Sequence, residues 1–132
     1  MPTVVVGYVS KPEGRAALER AIAEAKLRNA QLLLVNFQRG GSSYDQAAAT
    51  RSEEELEAVR TQLEASGVPF EIHQLVRGND PADDLIGVAD EHGAELIVIG
   101  LRRRSPVGKL ILGSSAQRIL LDATCAVLAV KA

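Results

Sequence analysis

Thr3-Val4-Val5-Val6-Gly7-Tyr8-Val9, followed two residues later by Pro12-Glu13-Gly14-Arg15-Ala16-Ala17-Leu18, is the stretch on which the fold turns. The first seven residues are apolar on both faces, as in a strand of a sheet covered on both sides. Proline suits the first helical turn, where its missing amide would have no partner in any case. Beyond Pro12, residues Leu18, Ala21, Ile22 and Ala25 recur at i, i+3, i+4 and i+7 and draw one helical stripe. A doubly buried strand feeding an amphipathic helix is the opening of a βα unit.

The same unit repeats outward along the chain. Leu32-Leu33-Leu34-Val35-Asn36-Phe37 reads as the second strand, and Gly40-Gly41-Ser42-Ser43 as a loop. Ser52 with Glu55 three residues later fits a capping box opening the second helix, whose stripe is Leu56, Val59 and Leu63, with Gly67 as its stop. The third strand, 69–76, alternates Phe70 and Ile72 with Glu71 and His73, the half-buried pattern of a sheet edge. Asp80-Pro81 starts the third helix, with Asp83 and Asp84 at the positive end of its dipole; Leu85, Ile86 and Ala89 form its buried face, and Gly93 ends it. Glu95-Leu96-Ile97-Val98-Ile99-Gly100 is the fourth strand, a helix follows at about 113–122, and Cys125–Val130 is the last strand. Strands and helices alternating in this way imply a single α/β domain over 1–132: a doubly wound parallel sheet of five strands with helices on both faces. The last strand is apolar throughout, so at an edge it needs a cover, and a homodimer pairing through Cys125–Val130 is the simplest one.

Composition removes several classes of function. In 132 residues the chain has 15 Lys plus Arg against 17 Asp plus Glu, a net charge of -2, which excludes a surface that is basic overall and argues against nucleic-acid binding. Two Phe, two Tyr and no Trp leave no stacking platform for single-stranded bases and make the core aliphatic. A single cysteine excludes an internal disulfide and any multi-cysteine zinc site. His73 and His92 stand 19 positions apart, without metal-ligand spacing, and each reads as a structural residue. No apolar run approaches the roughly 20 residues of a membrane span, and Met1-Pro2-Thr3-Val4 lacks the pattern of a signal peptide, so a cytosolic protein is expected.

The chemistry points to the segment after the fourth strand. Gly100-Leu101-Arg102-Arg103-Arg104 leads through Pro106, Gly108 and Lys109 to Gly113-Ser114-Ser115, which opens a helix. Free amides and hydroxyls at a helix N-terminus, beside basic side chains, make an anion site, and phosphate is the anion expected. The alternative is that the arginines are solvated loop charges and the serines only cap the helix. Gly108-Lys109 is not a P-loop, because position 103 is Arg and Leu110 stands where Ser or Thr is needed. No Gly-x-Gly-x-x-Gly follows the first strand, and no Gly-x-Ser-x-Gly elbow, placed general base or magnesium carboxylate marks an enzyme. Asn36 and Phe37, at the end of the second strand, lie near the predicted switch point; each either lines a pocket or serves packing and strand ends.

Four stretches in order resemble the universal stress protein family over essentially the whole chain. They are Pro12–Leu18, Gly78-Asn79-Asp80-Pro81-Ala82, Ala94–Gly100, and Gly113-Ser114-Ser115-Ala116-Gln117-Arg118-Ile119-Leu120 with Cys125–Val130 after it. The resemblance implies strand order 3-2-1-4-5, a dimer through the last strand, and, in one branch of the family, binding of ATP or a related adenine nucleotide, possible with Mg²⁺. That branch carries a motif G-x2-G-x9-G-[ST]. Here Gly100 and Gly113-Ser114 match it, whereas the middle glycine falls on Arg103 and a further usual glycine on Pro106. The acidic residue that ends strand one in the binding branch falls on Val9, and its small neighbours on Ser10 and Lys11. Carried over position by position, the implied site is Gly113, Ser114 and Ser115 on the phosphates, Arg103 and Lys109 as counter-charges, and Val9, Phe37, Ile99 and Gly100 as walls. The runner-up is a ligand-free dimeric interaction protein whose arginine loop docks an acidic partner.

Overall fold

The computed structural model describes residues 1–36, 46–74, 80–102 and 113–132, with the side chains of 46–52 left aside. Its elements are β1 (Thr3–Tyr8), α1 (Pro12–Arg28), β2 (Gln31–Asn36), α2 (Gln46–Ser66), β3 (Phe70–Gln74), α3 (Pro81–Glu91), β4 (Leu96–Leu101), α4 (Ser114–Asp122) and β5 (Ala126–Lys131). The five strands form one sheet in the order β3-β2-β1-β4-β5, and every pairing is parallel. This is the doubly wound α/β architecture read from the alternation of patterns.

Alternation along the strands divides the core in two. Val4, Val6, Tyr8, Leu32, Leu34, Leu96 and Val98 meet α1 and α2 through Leu18, Ile22, Val59 and Leu63. Val5, Leu33, Val35, Ile97 and Ile99 meet α3 and α4 through Leu85, Ala89 and Ile119. Burial on both sides explains why β1 is buried at every position. The α1 stripe of Leu18, Ala21, Ile22 and Ala25 is buried as predicted.

Helix ends follow local chemistry. Pro12 occupies the start of α1, and Asp80 caps α3, its carboxylate accepting from the Ala82 amide at 2.8 Å. Such a cap is worth about 1 kcal/mol. Gly67 and Gly93 follow their helices with φ of 76° and 59°, the left-handed backbone that glycine adopts without penalty.

Two expectations need correction, the start of α2 and the buried face of α3, and β5 is less covered than its apolar run suggests. Helix α2 begins at Gln46, so Ser52 lies inside it and Ser52–Glu55 is not its capping box. A pattern of hydroxyl and carboxylate three apart also occurs within helices, and nothing local distinguishes the two settings. Strand β5 is half-buried, with both ends exposed, although Ala126–Val130 is apolar and only Lys131 at its end is charged. It lies at the sheet edge, where helices cover its faces only in part and, among the described residues, no strand pairs beyond it. The buried face of α3 is Ala82, Leu85 and Ala89, with Ile86 at its margin and partly exposed. The other edge is β3, as its alternating sequence predicts.

Candidate functional site

The strand order reverses between β1 and β4. The chain runs outward from β1 to β2 and β3, then crosses back to lay down β4 and β5. Connections from the carboxyl ends of two neighbouring strands therefore diverge there, leaving the crevice in which open α/β sheets take ligands. Helix α1 leaves β1 at this edge, and α4 is the helix that follows β4.

Both helices open without a side-chain cap. Lys11 is the N-cap of α1 and Gly113 that of α4, each in extended backbone. At α4, the amide of Gln117 donates to the Gly113 carbonyl at 3.0 Å, the first bond of the helix. The amides before it, at Ser114, Ser115 and Ala116, precede the helical ladder and point out of the N-terminus. Gly113, Ser114 and Ser115 are all exposed, and a Cβ at Gly113 would meet nothing within 4 Å among the described residues. A helix end with amides outside the helical ladder and two exposed hydroxyls can accept an anion. Helix α3 cannot do this, because Asp80 already fills its N-terminus.

Arg118, one turn into α4, is already engaged. Its guanidinium lies 3.4 Å from Asp80, 3.0 Å from Asp83 and 3.7 Å from Asp122, which ties α4 to the start of α3. These exposed pairs are each worth under about 1 kcal/mol, and their effect is to neutralise acidic charge beside the α4 terminus. The sequence motif contained Arg118, but its role depends on α3 and α4 packing side by side, which spacing along the chain does not encode.

The other predicted site residues are placed as follows. Val9 is half-buried and leaves β1 in a tight turn, its carbonyl accepting from the Lys11 amide at 2.8 Å. Its side chain offers no acceptor. Ser10 donates to the Glu55 carboxylate, joining the β1 exit to α2. Ile99 is 5% exposed and its side chain belongs to the core under α3 and α4, so only its backbone faces the strand end. Gly100 meets the first turn of α1: a Cβ there would run into the Glu13 carbonyl. Asn36 is buried at the end of β2, in register with Tyr8 and Gln74. Phe37, Arg103 and Lys109 lie outside the described residues, as do Gly78, Asn79, Pro106 and Gly108.

Among the described residues, two titratable groups are perturbed. Burial pushes the Tyr8 phenol above its ordinary 10.0, the Glu55 carboxylate adds to the rise, and Arg15 opposes it. Unfolded, the phenol ionises near pH 10; folded, it keeps its proton to higher pH. The stabilisation is therefore complete below pH 10 and is lost as pH rises through the folded value. Urea unfolding across this range should show stability falling faster for the native chain than for Tyr8→Phe; parallel curves would contradict the assignment. Burial also raises the Cys125 thiol, with its own backbone hydrogen bond opposing and Asp90 adding to the rise. A thiol held protonated is a poor nucleophile, consistent with an inert residue.

The two histidines are neighbours in the fold. Read as two separate structural residues, His73 and His92 meet edge to face, with ring centroids 5.6 Å apart. The β3–α3 crossover brings them together, so their separation in sequence was no guide.

Taken together, a doubly wound parallel sheet with an uncapped, exposed helix start at its switch point defines a small α/β domain with a candidate anion site. The profile described as Universal stress protein family matches residues 1–131, and the chain belongs to that family. It is 51% identical to a universal stress protein of Mycolicibacterium smegmatis over 97% of this chain and 96% of the relative. A universal stress protein structure from Archaeoglobus fulgidus superposes with a TM-score of 0.79 at 37% identity, covering 99% of this chain and 98% of that one. Another from the same organism, solved in complex with dAMP, superposes with a TM-score of 0.73 at 30% identity, again over 99% and 98% of the two chains.

Proposed function

We propose that this chain is a stress-response module that holds ATP or another adenine nucleotide at the carboxyl ends of β1 and β4 and does not turn it over. The observation that carries the reading is the uncapped, exposed start of α4 at the switch point of the sheet, where no atom of the described residues lies within 4 Å of a Cβ at Gly113. The dAMP complex of a relative 30% identical supports an adenine nucleotide as the ligand class. Gly113, Ser114 and Ser115 would take the phosphates through amides and hydroxyls. Arg103 and Lys109 would supply positive charge in place of the close backbone approach that a glycine at 103 would allow. Val9, Gly100, Ile99 and Phe37 would wall the base and ribose by backbone and apolar contact. Mg²⁺, where present, would arrive on the phosphates of ATP. The open, apolar β5 edge would be covered by a second copy, giving a homodimer, and the protein would work in the cytoplasm. Among the described residues, no helix is long and apolar enough to cross a membrane.

One observation favours a second reading. Val9 cannot accept a hydrogen bond from a base or ribose, so the base side of the site lacks its polar anchor. A dimer without nucleotide, docking an acidic partner on Arg102–Arg104, is the form that reading takes.

Calorimetric titration of nucleotide-stripped protein with ATP and Mg²⁺, with AMP alongside, separates them. The nucleotide reading expects saturable binding of about one ligand per chain. Gly113→Val should weaken it at least 10-fold while leaving the fold intact, because among the described residues no atom lies within 4 Å of the new Cβ. No heat with either nucleotide, or unchanged affinity in Gly113→Val, would overturn the site.

A further inference from the structure

Three side chains, two on the outer edge strand β3 and one at the end of α3, form a constellation that the nucleotide reading does not use. Glu71 and His73 are two apart on β3 and therefore on one face, in register with Leu33 and Val35 of β2. That face is the one covered by α3. Helix α3 runs back along the sheet and ends at His92, just before the chain returns to the amino edge, where the Glu95 amide donates to the Thr3 carbonyl at 3.0 Å. His92 thus arrives over the outer edge strand, and one ligand atom each from Glu71, His73 and His92 lie within 4.8 Å of one another.

The hydrogen bonding prepares two of the groups. His92 Nδ1 lies 2.9 Å from the Val88 carbonyl oxygen. A carbonyl only accepts, so Nδ1 carries the proton, and Nε2 of the neutral ring keeps its lone pair. A backbone carbonyl holding one ring nitrogen is the arrangement that orients histidines bound to metals. His73 Nε2 lies 3.2 Å from a Glu71 carboxylate oxygen. A proton lies between those atoms at present, and a cation could replace it. The side chains of His73 and Glu71 are 35% and 64% exposed, so solvent reaches them and they have room to turn.

We infer that Glu71, His73 and His92 form a three-ligand site for a borderline divalent transition metal of the zinc type. Two imidazoles and one carboxylate suit such an ion, whereas magnesium and calcium prefer oxygen alone. Tetrahedral coordination needs ligand atoms roughly 3.4 Å apart, a spacing exposed side chains reach by small rotations. The fourth position opens to solvent. The site lies on the edge strand β3, three strands away from β4, and shares no residue with α4's N-terminus. A bound ion would fasten the edge strand β3 to the end of α3.

The test uses the full chain without a histidine tag, stripped with chelator and titrated with Zn²⁺. One ion per chain is expected. His73→Ala and His92→Ala should each lose at least about 10-fold in affinity, and Cys125→Ser should lose nothing. Zn²⁺ should raise the melting temperature of the native chain and not that of His92→Ala. As a check free of substitution, the imidazole NMR signals of both histidines should shift together and saturate at one equivalent. No saturable binding, binding that persists in either histidine variant, or ring signals that do not move would overturn the inference.

Discussion

Gly100→Ala should lower the unfolding free energy by about 3 kcal/mol or more, the upper end of what overpacking costs. A Cβ at this position falls on the Glu13 carbonyl oxygen, with Glu13 C at 2.6 Å and its Cβ at 3.0 Å. The obstacle is mostly backbone, in the first turn of α1, and cannot rotate aside. Relief requires α1 to lift from the β1–β4 seam, where its first turn also meets the β1 exit: a Cβ at Gly14 would fall on the Val9 carbonyl, with Val9 C at 2.7 Å. Gly14→Ala should therefore behave alike. Gly87→Ala is the internal control. It lies inside α3, a Cβ there meets nothing within 4 Å, and alanine should stabilise by about 0.5–1 kcal/mol. Urea unfolding monitored by circular dichroism reads all three. A midpoint for Gly100→Ala equal to the native one would mean that the seam is looser than described.

Leu85→Ala should cost about 3–4 kcal/mol, within the range for removing a fully buried leucine. Helix α3 is held by few large groups. Its buried residues are Ala82, Leu85 and Ala89, and of these only Leu85, at 0% exposure, is large. Truncation leaves a void between α3 and the Val5, Leu33 and Ile97 layer, and the remaining alanines cannot collapse to fill it. Leu121→Ala offers the contrast: Leu121 is 81% exposed, so the change should stay within about 0.5 kcal/mol. If both variants unfold at the same urea concentration as the native protein, α3 does not dock through Leu85. Because α3 also carries His92, loosening it should weaken Zn²⁺ binding as well.

Much of the fold was legible because burial leaves a period. Val4, Val5 and Val6 are all buried, a continuous apolar run that signals a strand covered on both faces. Leu18, Ala21, Ile22 and Ala25 repeat at helical spacing because one face of α1 meets the sheet. Asp80-Pro81 announced a helix start because capping chemistry is local. Less was legible where a local signal has two meanings. Ser52 and Glu55 have capping-box spacing yet lie inside α2. The sequence of β5 is that of a buried strand, and only its place at the edge leaves it half-covered.

The candidate sites divide in the same way. Gly113-Ser114-Ser115 could be read as an anion-accepting helix start, since free amides at an N-terminus follow from helix geometry alone. Gly100 stood in the same motif, and its contact with Glu13 was invisible, because the two residues are 87 positions apart, the difference between 100 and 13. What the sequence by itself determined is the alternation of strands and helices, the edge character of β3 and the chemistry at α4's start; each depends on residues within a turn or two of one another. What only the tertiary structure decided is the company that side chains keep: Arg118 with Asp80 and Asp83, Ser10 with Glu55, and Glu71 with His73 and His92. Parallel crossovers carry the chain the length of the sheet between such partners, so which groups meet depends on strand order, register and helix packing together.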